Sequence, residues 1–301
     1  MKSANNIFTI LKKAYRLLGK NDPLILSAAT AFFTAFAISP IIIILVNILT
    51  LYFNKESIRP QLFDKIASTF GSETANEIQS IVDNLRLIES NTWVTVGGSI
   101  FFLFVATTLI GVIRHALHKI WNIRRKSEKK IGYNIKERAV EMGMILFIGI
   151  LFLIALMLDT SVAIFRDYLH EIIPNVGVTV IRIINIIFSI AVVTIWFTMV
   201  FKILPEARVQ WKVAFAGGLL TGILFSLGKF VLGKLLIHAR VATIFGASAS
   251  IALLLLFIFY SSLILYFGTA FTHEYGKATG NPILPGKFSD HFKEEPAEKG
   301  K

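Results

Sequence analysis

Apolar residues along this chain neither alternate with polar ones at the period of a strand nor recur on one face at the period of a surface helix. They come in six long runs, at 24–53, 92–113, 140–164, 178–201, 213–237 and 244–271. Each has the ~20 residues an α-helix needs to cross ~30 Å of hydrocarbon. In lipid every backbone N–H and C=O has to be satisfied within its own segment, so runs of this length read as helices. The predicted fold is all-α: an integral membrane bundle of six transmembrane helices, with amphipathic surface helices beside it.

The segments between the runs carry shorter patterns. Ile7, Leu11, Ala14 and Leu18 recur at helical spacing, with Lys12, Lys13, Arg16 and Lys20 on other faces. This predicts an amphipathic helix along the inner membrane surface. The first apolar run is about 30 residues long, far beyond the ~7–15 of a signal-peptide core, so a cleavable signal is not expected. Pro23 suits the first turn of a span, and Pro40 inside it removes a backbone hydrogen bond and predicts a kink. In the outer loop 54–91, two apolar stripes flank Gly71-Ser72 and predict two short surface helices. Asn281-Pro282 and Pro285-Gly286 break any helix, and a polar stretch follows. The organisation expected is a cytoplasmic amphipathic segment at 1–22, a membrane domain at 23–276, and a disordered cytoplasmic tail at 277–301.

Composition supports the membrane reading. Hydrophobic residues are 54% and charged residues 17%, where soluble domains keep charge near a quarter. Mean hydropathy is +0.67. The chain has no cysteine, which excludes disulfides and thiolate sites. A net charge of +12 could suggest nucleic acid, but the placement of the bases argues otherwise. Four segments (before 23, 114–138, 202–212 and after 271) hold 22 Lys and Arg, against 7 in the segments between them. Basic loops stay cytoplasmic, which predicts both termini inside and an even number of spans. Attraction to anionic headgroups is a secondary consequence.

Two lysines fall within the fifth run. Counting from Val213, Lys229 lies sixteen residues in, about 24 Å along a helix axis. Ala214, Gly218, Gly222 and Ser226 form a stripe of small residues of the kind that lets helices approach closely. Lys229 follows Gly218 by close to three turns, so the phase puts it on that face, directed into the bundle; Lys234 falls nearly opposite. A lysine at mid-bilayer costs ~2.5–3.5 kcal/mol on insertion scales and calls for a partner or water. Asp159 in the third run and Arg182 at the start of the fourth sit at similar depth. Lys229, Asp159 and Arg182 form the candidate substrate or charge cluster. The competing reading is a Lys229 that snorkels along its own stem to the outer boundary. Gly218, Gly222, Ser226 and Pro40 are the candidate packing and hinge positions.

No catalytic constellation emerges. His115 and His118 are three residues apart, a spacing able to chelate, but Arg114 and Lys119 beside them oppose a cation, and a surface pair is expected. His273-Glu274 lacks the second histidine of a zinc-protease helix. No phosphate loop, dinucleotide fingerprint or serine elbow occurs. The sequence implies no enzyme, no metal and no cofactor.

Several segments carry a resemblance when taken in order: Ala28-Ala29-Thr30-Ala31-Phe32-Phe33 running to Pro40, Asn91-Thr92-Trp93, and Leu117 with Ile120-Trp121-Asn122-Ile123. Leu204-Pro205, Leu227-Gly228-Lys229, Phe245-Gly246-Ala247 and Tyr260-Ser261-Ser262-Leu263-Ile264-Leu265-Tyr266-Phe267-Gly268 continue it. Over nearly all of residues 5–276 the chain resembles the YihY/BrkB family of inner-membrane proteins, once labelled ribonuclease BN. The resemblance implies six spans in the bacterial cytoplasmic membrane and a transporter-like role, including for lipid-related envelope cargo. The ribonuclease label has no acid and histidine cluster here to hold metal and activate water. Two departures stand out: Ser226 and Ala270 occupy places where many relatives carry Glu, which weakens any proton-coupled mechanism.

These readings converge on a transporter-like membrane protein for an amphipathic or anionic lipid-type substrate. The alternative is a non-transporting scaffold for envelope assembly, with a ribonuclease a distant third. Membrane lipids and a lipid-type substrate are the partners expected. An oligomer is compatible with this, and no nucleic acid is.

Overall fold

A computed structural model describes residues 7–49, 92–125, 176–238, 249–286 and 289–291, together with isolated positions between 60 and 83 and between 143 and 150. The described residues are overwhelmingly helical. The helices are α1 (Ile7–Gly19), α2 (Pro23–Leu49), α3 (Thr92–Ile120), α4 (Val176–Ile203), α5 (Trp211–His238) and α6 (Ala249–Ala278). Four short strands follow the helix ends: β1 (Ile123–Arg125), β2 (Ala207–Arg208), β3 (Leu284–Pro285) and β4 (Ser289–His291).

Among the described residues three helical stretches are long and apolar enough to cross a membrane: Ile186–Ile203, Trp211–Val231 and Leu254–Ala278. The pair α1 and α2, bent by 72° at the break between them, makes a fourth if counted as one span. Most of the outer loop and of the third apolar run lies outside the described residues. From that run Phe147 is described, and its ring stacks on Trp196 of α4 at 6.3 Å between centroids.

Local chemistry explains where the helices stop. The Asn21 N–H closes α1 on the Leu18 carbonyl at 2.9 Å. Asp22 then takes a left-handed turn at φ 53°, a region that short polar side chains tolerate. Pro23 starts α2, whose first turn needs no N–H from it. The helix continues through Pro40 to Leu49. Helix α3 ends in the same way as α1, with Asn122 at φ 57°.

The surface helix α1 forms as expected, but its apolar face is covered. Ile10, Ala14 and Leu18 are buried, and α1 packs against α6. Ile7 is exposed, while Lys12, Lys13, Arg16 and Lys20 point outward. Burying the Ile10–Ala14–Leu18 stripe on a neighbouring helix ties the segment to the bundle.

Helix α6 lies at the centre of the described bundle, touching α1, α2, α3, α4 and α5. The main hydrophobic core gathers where the basic segments lie. It includes Leu18, Leu117, Trp121, Phe201, Val213 and Tyr266. A smaller cluster of Ala31, Leu254 and Ile258 sits further along α2 and α6.

The tail expected to be disordered from 277 onward has defined structure at 277–286 and 289–291. Helix α6 runs to Ala278, Gly280 turns the chain at φ 74°, and the segment beyond crosses the basic end. There β3 pairs antiparallel with β2, and β4 with β1. Pro282 and Pro285 end the helix as read from sequence, but the backbone groups freed there find partners on the loops that close α3 and α4.

Candidate functional site

Helix α5 carries both the small-residue stripe and the intramembrane lysines. Its glycines are places where another helix comes too close for a side chain. A Cβ on Gly218 would stand 2.8 Å from the Thr198 nitrogen and 2.9 Å from the Thr194 carbonyl oxygen of α4. One on Gly222 would stand 2.6 Å from Thr194 Oγ1. Ser226 is half-buried. The stripe read from sequence is therefore the α4 contact.

A second contact lies on the α6 side. Gly217 faces Thr272, and Gly268 faces Thr221, so two Gly-x-x-x-Thr elements on antiparallel helices interlock reciprocally. Each threonine hydroxyl donates to a carbonyl of its own helix: Thr221 to Gly217 and Thr272 to Gly268, both at 2.7 Å. With the hydroxyls satisfied internally, the methyl groups and backbones pack without a polar penalty. Further along, Gly228 faces the Tyr260 ring.

The phase argument for Lys229 holds through Gly222 and then fails. Lys229 is exposed, as are its neighbours Leu227, Phe230 and Val231. The physical reason is on α4. The residues that would cover this depth, Ile183, Ile186 and Ile187, are themselves exposed, so the packed face ends before Lys229. Asp159 lies outside the described residues. Arg182 lies on α4 and Lys234 on α5, and both of their side chains are outside the described set.

Where the bases cluster, the polar side chains are buried. Arg114 and His118, one turn apart on α3, are 5% and 7% exposed, and His273 on α6 is 7% exposed. The backbone N–H of Glu206 donates to His118 Nε2 at 3.1 Å. That nitrogen is therefore unprotonated, and the ring's proton sits on Nδ1. The Glu206 carbonyl accepts from the Gly286 N–H at 2.9 Å and from the Ser289 hydroxyl at 3.3 Å. Trp121 Nε1 donates to the Thr269 carbonyl at 2.9 Å, and Thr30 and Tyr266 share a hydrogen bond between their hydroxyls. Lys119 and Asp22 make an exposed ion pair at 3.2 Å. Separate polar contacts thus tie α2 to α6, α3 to α6, and α3 through Glu206 to the C-terminal strands.

The expectation of a histidine surface pair is corrected here: His115 is exposed, but His118 is buried and engaged. Sequence could not place it, because its partner Glu206 is 88 positions away. Among the described residues no three His, Asp or Glu converge on a point able to hold a metal. Ala270, one of the two departures, is fully buried. Among the described residues these polar groups tie helices and loops to one another.

Comparison with known proteins adds a family. The family model described as virulence factor BrkB matches residues 14–287. A UPF0761 membrane protein of Pseudomonas paraeruginosa is 27% identical over 249 residues, covering 80% of this chain and 56% of the relative. One from Saccharophagus degradans is 24% identical, covering 81% and 54%. One from Tolumonas auensis is 22% identical over 265 residues, covering 87% and 84%. The chain thus spans about half the length of the Pseudomonas and Saccharophagus relatives. No solved structure matches.

Proposed function

The chain belongs to the virulence factor BrkB family of membrane proteins, and from that premise we propose that it is a six-span protein of the bacterial cytoplasmic membrane handling an amphipathic, anionic lipid-type substrate of the envelope. Both termini face the cytoplasm in this reading, because the segments holding 22 of the Lys and Arg stay inside. The membrane domain is residues 23–276.

The observation that carries the reading is the exposure of Lys229. It lies eighteen residues beyond the start of α5, about 27 Å along the axis, among exposed Leu227, Phe230 and Val231. A cation on a lipid-facing surface at that depth is accessible from the side, to a molecule that is itself in the membrane. An anionic headgroup would be attracted to this exposed cation while acyl chains cover the apolar residues around it. Asp159 and Arg182 are proposed to share this charged site.

The scaffold reading draws on a different observation. The reciprocal Gly–Thr contacts leave α5 no room to slide between α4 and α6, which suits a rigid platform. Native mass spectrometry of gently extracted protein separates the two. The transport-type reading expects a particular anionic lipid to travel with the wild type. Lys229→Ala should carry about fivefold less, from ~1 kcal/mol per basic group near anionic lipid, and Lys234→Ala should behave as wild type. Equal lipid on Lys229→Ala would remove the site.

A further inference from the structure

At the basic end, the α4–α5 loop and the C-terminal ribbon border an open cleft of about 620 Å³. Its walls are strands β2 and β3 on one side and the first turn of α5 on the other, with Lys202, Arg208, Trp211, Pro282 and Leu284 among the lining residues. The volume lies in the range of small-ligand sites. Among the described residues no carboxylate lines it. The nearest in sequence, Glu206, has its Oε2 buried and not presented at the surface.

The cleft's cation is held in place. Lys202 Nζ donates to the Val209 carbonyl and sits 5.2 Å from the centre of the Trp211 ring, within the reach of a cation–π contact. Arg208 and Lys212 are exposed beside it. The Gln210 carbonyl caps the start of α5, accepting from the Val213 and Ala214 N–H groups, each at 3.0 Å. Trp211, 55% exposed, is the amphipathic side chain expected at a membrane interface. Below it on the same helix face, at four-residue intervals, Phe215, Leu219 and Ile223 are exposed as well. The cleft therefore opens onto an apolar ridge that descends into the region of the span.

We propose that this cleft binds the phosphate headgroup of an anionic membrane phospholipid, with Lys202 and Arg208 on the phosphate and the acyl chains laid along Trp211, Phe215 and Leu219. Both halves of the ligand are matched. The basic pair suits an ester phosphate, and the ridge suits chains that a free phosphate lacks. The site rests on the proposed membrane topology, which turns this end toward the anionic inner leaflet, but not on transport. It lies at the opposite end of α5 from Lys229 and is a separate site.

The test is a binding titration of the full-length protein in a non-ionic detergent at low salt. The probes are dioctanoyl phosphatidylglycerol, dioctanoyl phosphatidylcholine and inorganic phosphate. The phosphatidylglycerol should bind at least tenfold more tightly than either of the others. Arg208→Gln, at an exposed position, should weaken it about fivefold, and Lys202→Gln with Arg208→Gln about 25-fold, from ~1 kcal/mol per basic group near anionic lipid. Thermal unfolding of the single variant should match wild type. Equal binding of the two lipids, undiminished binding by Arg208→Gln, or phosphate binding as tightly as the lipid would each overturn the proposal. If the titration fails while Lys229→Ala still loses its co-purified lipid, the cleft is rejected and the proposed function stands. The reverse result keeps the cleft and rejects the Lys229 site.

Discussion

Between Val213 and Gly222, helix α5 leaves Phe215 and Leu219 exposed but packs its other faces: Val213, Ala214, Gly217, Gly218, Thr221 and Gly222 are all buried. From Leu227 to Val231 only Gly228 is. Helix α4 runs the same course, with Thr194, Phe197, Thr198, Val200 and Phe201 buried and Ile183, Ile186 and Ile187 exposed. In water the second region would be an aggregation hazard. In a bilayer its apolar side chains are already solvated, so nothing drives them together. The helices are held at one end by backbone contacts and hydrogen bonds, which lipid cannot replace, and at the other they are open to lipid. The second arrangement leaves the packing face itself open to a membrane-borne ligand.

The comparison breaks most readily at the Gly–Thr interlock. Gly217→Leu or Gly268→Leu would drive a side chain into Thr272 or Thr221, where neither backbone can retreat without separating α5 from α6. We expect a loss of about 3 kcal/mol, read as a large drop in the thermal unfolding midpoint of detergent-solubilised protein. Leu227→Val, at the open end, should leave that midpoint nearly unchanged. If both substitutions cost the same, the two ends are not different in kind.

A smaller effect is expected at Trp121. Replacing it with Phe keeps most of the buried ring but removes the Nε1–H donated to the Thr269 carbonyl. The carbonyl keeps the N–H of its own helix, so losing this second hydrogen bond should cost about 0.5–1.5 kcal/mol, measurable in the same unfolding experiment. No change would mean that the polar contacts at the basic end add little to packing.

The smallest effect belongs to Asp22. Its ion pair with Lys119 is exposed on both sides, and such pairs contribute ~0.2–1 kcal/mol. Asparagine also tolerates the left-handed turn, so Asp22→Asn isolates the charge. A shift corresponding to no more than about 0.5 kcal/mol is expected, and screening by salt should erase it.

The sequence foreshadowed what lipid enforces. Long apolar runs had no soluble alternative, and helices α2 to α6 begin and end within about seven residues of five of the six runs, the third run lying largely outside the described residues. Ala214, Gly218 and Gly222 marked the α4 contact because small residues at four-residue spacing have few other uses in a span. The α6 contact was less legible: Gly217 and Gly268 acquire meaning only with Thr272 and Thr221 opposite, and that pairing is written in no single helix. Lys229 was placed by phase alone, which fixes a direction but not whether a neighbour extends that far. His118 and the C-terminal strands escaped for a related reason. Their partners lie on distant loops, and strands of two or three residues carry no alternation to read.

The central claim is that the open end of α5 presents Lys229 to an anionic lipid and that the protein moves it. Leaflet exchange in proteoliposomes, followed with fluorescent phosphatidylglycerol and phosphatidylcholine, tests this directly. The account predicts that wild-type protein accelerates exchange of the anionic lipid, and that Lys229→Ala loses most of this acceleration while keeping the wild-type unfolding midpoint. Wild-type vesicles no faster than protein-free ones, or a Lys229→Ala variant as fast as wild type, would contradict it.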